Sequence, residues 1–358
     1  MTDRDSVRRG VLEGFARLHR THFARYSIIS VDPPIFHVQP ILDMVDEFLP
    51  SYQMLFSALR GRKAYCLFRH SWALTSRVFD WILELESRTR QQFPDVELIH
   101  LCNEPGQAEL FRARGGRAIL CNHNCFVNES IFRPLPSVTK RFDAVYNARL
   151  DKQKRHFLAR EIASLALIYN PTKEGPEYIR ETRREFSRAH FFNHSDSGEY
   201  RLLSLREIND CLNACRVGLC LSEEEGPMFA SAEYLLSGLP IVTTPSRGGR
   251  DLFFEESFVL TVPPEPRAIE EAVRELIGRG VRPDIPRDAV LAKLRVHREA
   301  FVTLVQEIYD QHEIKKRFAD EWPRLFPHQI LAERGHLDTI TKLSHARPES
   351  DPGREAGA

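Results

Sequence analysis

Glu225-Gly-Pro-Met-Phe-Ala-Ser-Ala-Glu233, followed by Ser237-Gly-Leu-Pro240, decides the reading of this chain. Before it, Arg216-Val-Gly-Leu-Cys-Leu-Ser222 is mostly apolar and bounded by polar or turn residues, the pattern of a short buried strand. After it, Ser231 to Ser237 carries good helix formers, and Gly238 with Pro240 supplies a stop. Ile241-Val-Thr-Thr244 reads as the next strand. The unit is therefore strand, acidic loop, helix, strand. A helix entered after a strand turns its free N–H groups and the positive end of its dipole toward whatever lies above the sheet edge. Pro227 suits the first helical turn, where no N–H is needed. A carboxylate on each side of such an anion site suits a ligand with both phosphate and hydroxyl groups. A simpler reading stands beside this one. Glu223, Glu224 and Glu225 are then acids favourably placed at a helix N-terminus, and Glu233 a solvated helix residue.

The rest of the chain sets the bounds. At 358 residues it is too long for one ordinary core and fits two domains. Hydrophobic content is 42% and charged content 28%, as expected of a globular protein. Lysine plus arginine equals aspartate plus glutamate at 50 each, so no global field favours nucleic acid or a membrane. No apolar run approaches the length that spans a bilayer. The first residues (Asp3, Arg4, Asp5, Arg8, Arg9) lack a signal peptide's apolar stretch, so a cytoplasmic location is expected. Within residues 4–24, Val7, Val11, Phe15, Leu18 and His22 recur at helical spacing opposite an arginine-rich face. That helix fits docking on the first domain or peripheral contact with an anionic membrane surface. The cysteine pairs Cys121/Cys125 and Cys211/Cys215 lack a companion histidine at standard spacing, so no zinc or other metal is expected.

Strand and helix signals alternate along the chain. Strands read at Tyr26–Val31, which ends at Asp32-Pro-Pro34, then at Ala64–Arg69, Val96–Cys102 and Ala118–Cys121. Helices read near Pro40–Leu59, Ala73–Gln91 and Pro105–Arg114. Past a linker at Arg133-Pro-Leu-Pro136 the alternation restarts, with Phe142–Asn147 a strand, Lys154–Ile162 a helix and Leu165–Tyr169 a strand. Then come Glu177–Ser187, His190–Phe192, Leu205–Cys215 and the glutamate unit, a strand at Phe258–Val262, and a helix closing at Gly278. A long helical segment runs from Arg287 to about Phe318. Such alternation makes parallel, doubly wound sheets whose ligands sit at the strands' carboxyl ends. The expected domains are 1–134, 135–305, a helical segment at 306–344 packing back on the first domain, and a polar tail at 345–358.

Three segments, in order, resemble the GT-B glycosyltransferases, specifically their family-4-type retaining group. Asn122-His-Asn-Cys-Phe-Val-Asn-Glu-Ser-Ile-Phe-Arg-Pro134 looks like that group's Asn-Gly-Val-Asp…Phe-x-Pro linker. Asn147-Ala-Arg-Leu-Asp-Lys-Gln-Lys154 is similar to its Gly-Arg-Leu…Lys-Gly phosphate loop. Glu225 and Glu233, with Ser237-Gly-Leu-Pro-Ile-Val242, match its E-x7-E signature. The resemblance covers roughly residues 118–280, a little under half of the chain. It implies a GT-B fold: two Rossmann-like doubly wound domains facing a cleft, the first abbreviated.

The resemblance also implies chemistry. A nucleotide-diphosphate-sugar would be the donor substrate, and a glycan or lipid-linked molecule the acceptor, with no cofactor and no metal. Arg149 and Lys154 would neutralise the leaving pyrophosphate, helped by the backbone from Gly226 through Pro227, Met228 and Phe229. Glu233 would accept hydrogen bonds from the ribose hydroxyls, and Glu225 would hold the donor sugar. His70 falls where many members place a histidine near that sugar, although a lone histidine after a strand is more often structural. The chain departs from the pattern at Asn147, which stands where glycine is usual, and at Pro227-Met228 in place of the commoner Phe-Gly. Its first domain lacks a glycine-rich phosphate-facing loop. That shortness favours a second reading, a non-catalytic module that binds a glycan or a protein partner.

Overall fold

The computed structural model describes residues 26–38, 48–70, 73–170, 175–195 and 198–326. The helix read in residues 4–24 and the tail at 345–358 lie outside them.

Two sheets organise the chain. The first runs in the order β1 (Tyr26–Val31), β2 (Pro34–Val38), β3 (Ala64–Arg69), β4 (Val96–Cys102), β5 (Arg117–Leu120). β1 and β2 are antiparallel, and β2 through β5 are parallel. The sequence reading stopped its strand at the two prolines and missed β2. Pro34 occupies the first position of that strand, where a missing N–H is tolerated, and every residue of Pro34–Val38 is buried. β3 is also buried throughout, as befits a parallel strand covered on both faces. Helices α1 (Phe48–Ala58), α2 (Ser76–Gln92) and α3 (Pro105–Ala113) connect these strands. Thr75 caps α2 by accepting from the Val78 N–H, and Pro105 opens α3.

The second sheet has the order β11 (Val259–Thr261), β10 (Ile241–Thr243), β9 (Cys215–Cys220), β6 (Phe142–Asn147), β7 (Leu165–Ile168), β8 (His190–Phe191), all parallel. Strands β6 to β8 advance toward one edge and β9 to β11 toward the other. The winding therefore reverses between β6 and β9, which opens a crevice beyond their carboxyl ends. The described part of the first sheet has no such reversal. Its strands follow chain order from edge to edge, so the doubly wound pattern expected of both units is present in the second.

Helices α4 (Gly175–Glu185), α5 (Leu205–Asn213), α6 (Phe229–Leu236) and α7 (Pro266–Arg279) join the second sheet's strands. Ser204 and Glu207 form a reciprocal capping box at the start of α5. The α7 helix runs to Arg279, one residue past the expected Gly278, and a left-handed Gly280 caps it. Helix α8 (Asp284–Gln311) crosses both units, so the expected division at 305/306 falls inside a continuous helix. Arg298 on α8 holds Glu129 through both guanidinium nitrogens at 2.7 Å and also the carbonyls of Cys125 and Val127. Just past the helix end, the Tyr65 hydroxyl on β3 meets His312 Nε2 at 2.9 Å. Glu313, at φ 57°, ends the run, and α9 (Phe318–Leu325) follows. No helix among the described residues is long and apolar enough to cross a membrane.

Candidate donor site

The loop after β6 is built around one aspartate. Asp151 accepts the Lys154 N–H at 3.2 Å, and the Tyr146 hydroxyl donates to the Lys154 carbonyl at 2.6 Å. Between these bonds the chain makes a tight turn at Lys152–Lys154 and another at His156–Ala159. A continuous helix was expected over 154–162. Arg155 breaks it by adopting left-handed backbone at φ 50°. Its guanidinium is held by the Leu221 carbonyl (2.7 Å) and the Thr244 hydroxyl (2.8 Å) at the ends of β9 and β10. His156 is buried against the Tyr146 ring, and burial with the neighbouring Lys154 charge lowers its pKa to about 3.

Across the crevice, α6 packs against β9 at very short range. A methyl group at Gly218 would lie 2.4 Å from the Tyr234 ring, so only glycine fits. The Tyr234 hydroxyl then reaches over the sheet and accepts the Asn147 N–H at 2.6 Å. The helix begins at Phe229, with Met228 as its N-cap in left-handed backbone at φ 49°. Pro227 therefore precedes the cap and does not stand in the first helical turn, and the helix starts two residues before the expected Ser231. No side chain caps this helix start. The Ser231 N–H turns back to the Met228 carbonyl at 3.0 Å, and Phe229 and Ala230, the two residues ahead of it, line the neighbouring cavity.

A cavity of about 380 Å³ lies between these two loops. Asn147, Arg149 and Lys154 line it from the β6 side, and Glu225, Met228, Phe229 and Glu233 from the α6 side. Lys154 is only 9% exposed, and its ammonium is paired directly with the Glu225 carboxylate. Arg149, with 45% of its side chain exposed, lies 3.2 Å from Asp151. Glu233 is 4% exposed and accepts the Asn147 side-chain N–H at 3.2 Å. Asn147, standing where the resembling group has glycine, is thus a spacer that fixes Glu233. Apolar side chains also line the cavity, Ile168, Leu203, Ile208 and the 73% exposed Leu202, together with Asn170 and Asn193.

Of the residues singled out in the sequence, Arg149, Lys154, Glu225, Met228, Phe229 and Glu233 come together around this cavity. Gly226 and Pro227 form the loop behind it. His70 stands apart. It is 3% exposed and packs beside His100 (5.3 Å) and Phe111 (5.2 Å), which are stacked on each other at 3.9 Å, and burial together with His100 lowers its pKa. It packs the first unit's core, the structural role that a lone histidine after a strand most often has. The apolar lining and the Tyr234 contact were not legible in the sequence, since Leu202, Leu203 and Tyr234 read as ordinary core or loop residues. Among the described residues no group of three or more His, Cys, Asp or Glu could hold a metal ion. All seven cysteines are free thiols.

No protein-family model matches the chain, and no curated protein matches it. Solved structures do. Sucrose-phosphate synthase from Thermosynechococcus elongatus is 15% identical over 75% of this chain and 79% of its own, with a TM-score of 0.54. Anabaena HepE, in complex with UDP and glucose, is 15% identical over 76% of this chain and 83% of its own, with a TM-score of 0.52. Trehalose 6-phosphate synthase from Burkholderia multivorans is 14% identical over 77% and 72%, with a TM-score of 0.51. The chain shares their fold, a two-domain, Rossmann-like GT-B architecture.

Proposed function

We propose that this protein is a retaining glycosyltransferase of the family-4 type. It moves a hexose from a nucleotide-diphosphate-sugar to a glycan or glycolipid acceptor without a metal ion. One observation carries the reading. Two cations, two carboxylates and an uncapped helix start surround a single cavity at the point where the sheet winding reverses. Similar solved structures support the donor class, since HepE is described in complex with UDP and with UDP-glucose.

Each group then has a task. Glu233, buried and oriented by Asn147, accepts hydrogen bonds from the ribose hydroxyls. Arg149, Lys154 and the N–H groups that open α6 hold the diphosphate and stabilise its charge as the anomeric carbon–oxygen bond breaks. Lys154 leaves or shares Glu225 to do so, which frees that carboxylate for the sugar hydroxyls. The departing phosphate oxygen takes the acceptor hydroxyl's proton on the same face. The new glycosidic bond then forms with retained configuration. Polysaccharide or glycolipid assembly at the cytoplasmic side of a membrane is the setting we assign, with residues 4–24 as the peripheral contact.

Slow hydrolysis of the donor tests the reaction without knowledge of the acceptor. Proton NMR of an α-linked nucleotide-sugar incubated with the protein is expected to show the α-sugar released first. Release of the β-anomer first contradicts retention. The second reading, a non-catalytic glycan- or partner-binding module, is favoured by the described part of the first sheet, whose strands follow chain order without a reversal of winding. It predicts nucleotide binding without any release of sugar.

A further inference from the structure

Asn122, His123 and Asn124, at the start of the linker between the two sheets, are fully buried. The Asn122 carboxamide donates to the Asn103 carbonyl of the first unit at 3.1 Å and to the Gly249 carbonyl of the second at 2.8 Å. Its oxygen accepts the Asn124 N–H at 3.0 Å. The Asn124 carboxamide in turn donates to the Pro227 carbonyl at 2.6 Å, inside the acidic loop. Asn103 extends the chain of bonds backward, donating to the His70 carbonyl at 2.6 Å and accepting the His123 N–H at 3.2 Å.

The two loops gripped in this way are themselves joined. Glu225 N–H donates to the Arg247 carbonyl and Arg247 N–H to the Glu223 carbonyl, both at 2.9 Å. Gly248, at φ 111°, presses on the Glu225 carbonyl so closely that an added Cβ would lie 1.8 Å from it. A hydrogen-bonded path thus runs from the end of β3, through the linker, to the residue just ahead of the α6 cap.

We propose that Asn124 is a positioning residue of the donor site. By holding the Pro227 carbonyl it fixes the left-handed Met228 step, and so sets the aim of Glu225 and of the leading N–H groups of α6. Through Asn122 the same amide ties that aim to the contact between the two units. Asn124 reaches no ligand. The position demands a short side chain with an N–H donor, because the acceptor is a buried carbonyl. Aspartate has the same shape but would set an oxygen against an oxygen. The affinity part of this proposal rests on the donor-site reading above, and the loop part does not.

The test uses the full chain carrying Asn124→Asp, compared with wild type by hydrogen exchange, melting temperature and titration with UDP, GDP and ADP. Asn124→Ala, which buries no charge, carries the same test should the aspartate variant not fold. Exchange across residues 225–230 and 247–250 is expected to rise about tenfold, the scale of one lost buried hydrogen bond, with β4 and α7 unchanged. The affinity for the diphosphate that wild type binds is expected to fall by about the same factor. Wild-type exchange in both loops, or a lowered melting temperature with loops and affinity unchanged, overturns the proposal. If wild type binds none of the three, the donor reading fails, and the exchange result alone decides the role of Asn124.

Discussion

Lys154 and Glu225 meet in the candidate site, and that pairing has measurable consequences. Replacing Lys154 with alanine leaves the Glu225 carboxylate without its cation, so stability should fall by about 1–3 kcal/mol in urea titration. Diphosphate binding should weaken in the same variant. Arg149→Ala separates the two effects, because Arg149 is half-exposed and its partner Asp151 keeps the Lys154 N–H. It should weaken diphosphate affinity by more than about 1 kcal/mol, read by calorimetry, with stability almost unchanged. An unaltered affinity refutes the role given to Arg149. At this scale the sequence was informative where charge stood beside a strand end. Glu225, Arg149 and Lys154 were legible for that reason, and Glu233, inside α6, through its spacing from Glu225. His70 misled because position after a strand says nothing about whether a ring faces the crevice or the core.

Glycines decide how the elements approach one another. At Gly218 even one methyl would strike the Tyr234 ring, so Gly218→Ala should cost about 1–3 kcal/mol by overpacking, measured in urea. It should also displace the tyrosine hydroxyl from Asn147 and disturb Glu233 one residue away. Gly248→Ala combines left-handed backbone with a collision against the Glu225 carbonyl and should be more damaging still. Wild-type stability in either variant would mean that the loops relax easily. Element type was legible wherever period and turn residues agreed, as for the strand at Val96–Cys102 and the helix read from Leu205. It was not legible where a distant contact overrides local preference. The stretch 154–162 has helix formers, yet Arg155 is turned left-handed where its guanidinium is tied to β9 and β10. The hairpin strand β2 was hidden by prolines that the first strand position accepts.

On the scale of the whole molecule, buried neutral histidines set the acid limit of stability. His37, His70, His100, His123, His156 and His297 are all buried with lowered pKa values, burial being the leading cause in each. A histidine with a depressed folded pKa gives stability that is fully present above its unfolded value near 6.5 and is lost as pH falls toward the folded value. For His156 that window runs from about 6.5 down to about 3. Urea midpoints should therefore drop steadily below about pH 6.5, each such histidine adding up to about 1.4 kcal/mol per pH unit. His156→Phe should reduce the slope, and an identical slope would contradict its burial as a neutral ring. The two-unit architecture was legible in the alternation of strands and helices and in the break at Arg133–Pro136. The chain-order succession of strands in the described part of the first sheet was not, because strand order depends on contacts far apart in sequence.

On the proposed function, the cavity between Arg149 and Glu233 holds a nucleoside diphosphate. A thermal-shift series with UDP, GDP, ADP, CDP and dTDP, without added metal, on wild type and Glu233→Ala tests it most directly. A ligand at about a hundred times its dissociation constant adds roughly 2.7 kcal/mol to stability, a readily visible rise in midpoint. The account predicts that one nucleotide raises the wild-type midpoint and leaves Glu233→Ala unmoved. No rise with any of the five at millimolar concentration, or an equal rise in both proteins, would contradict it.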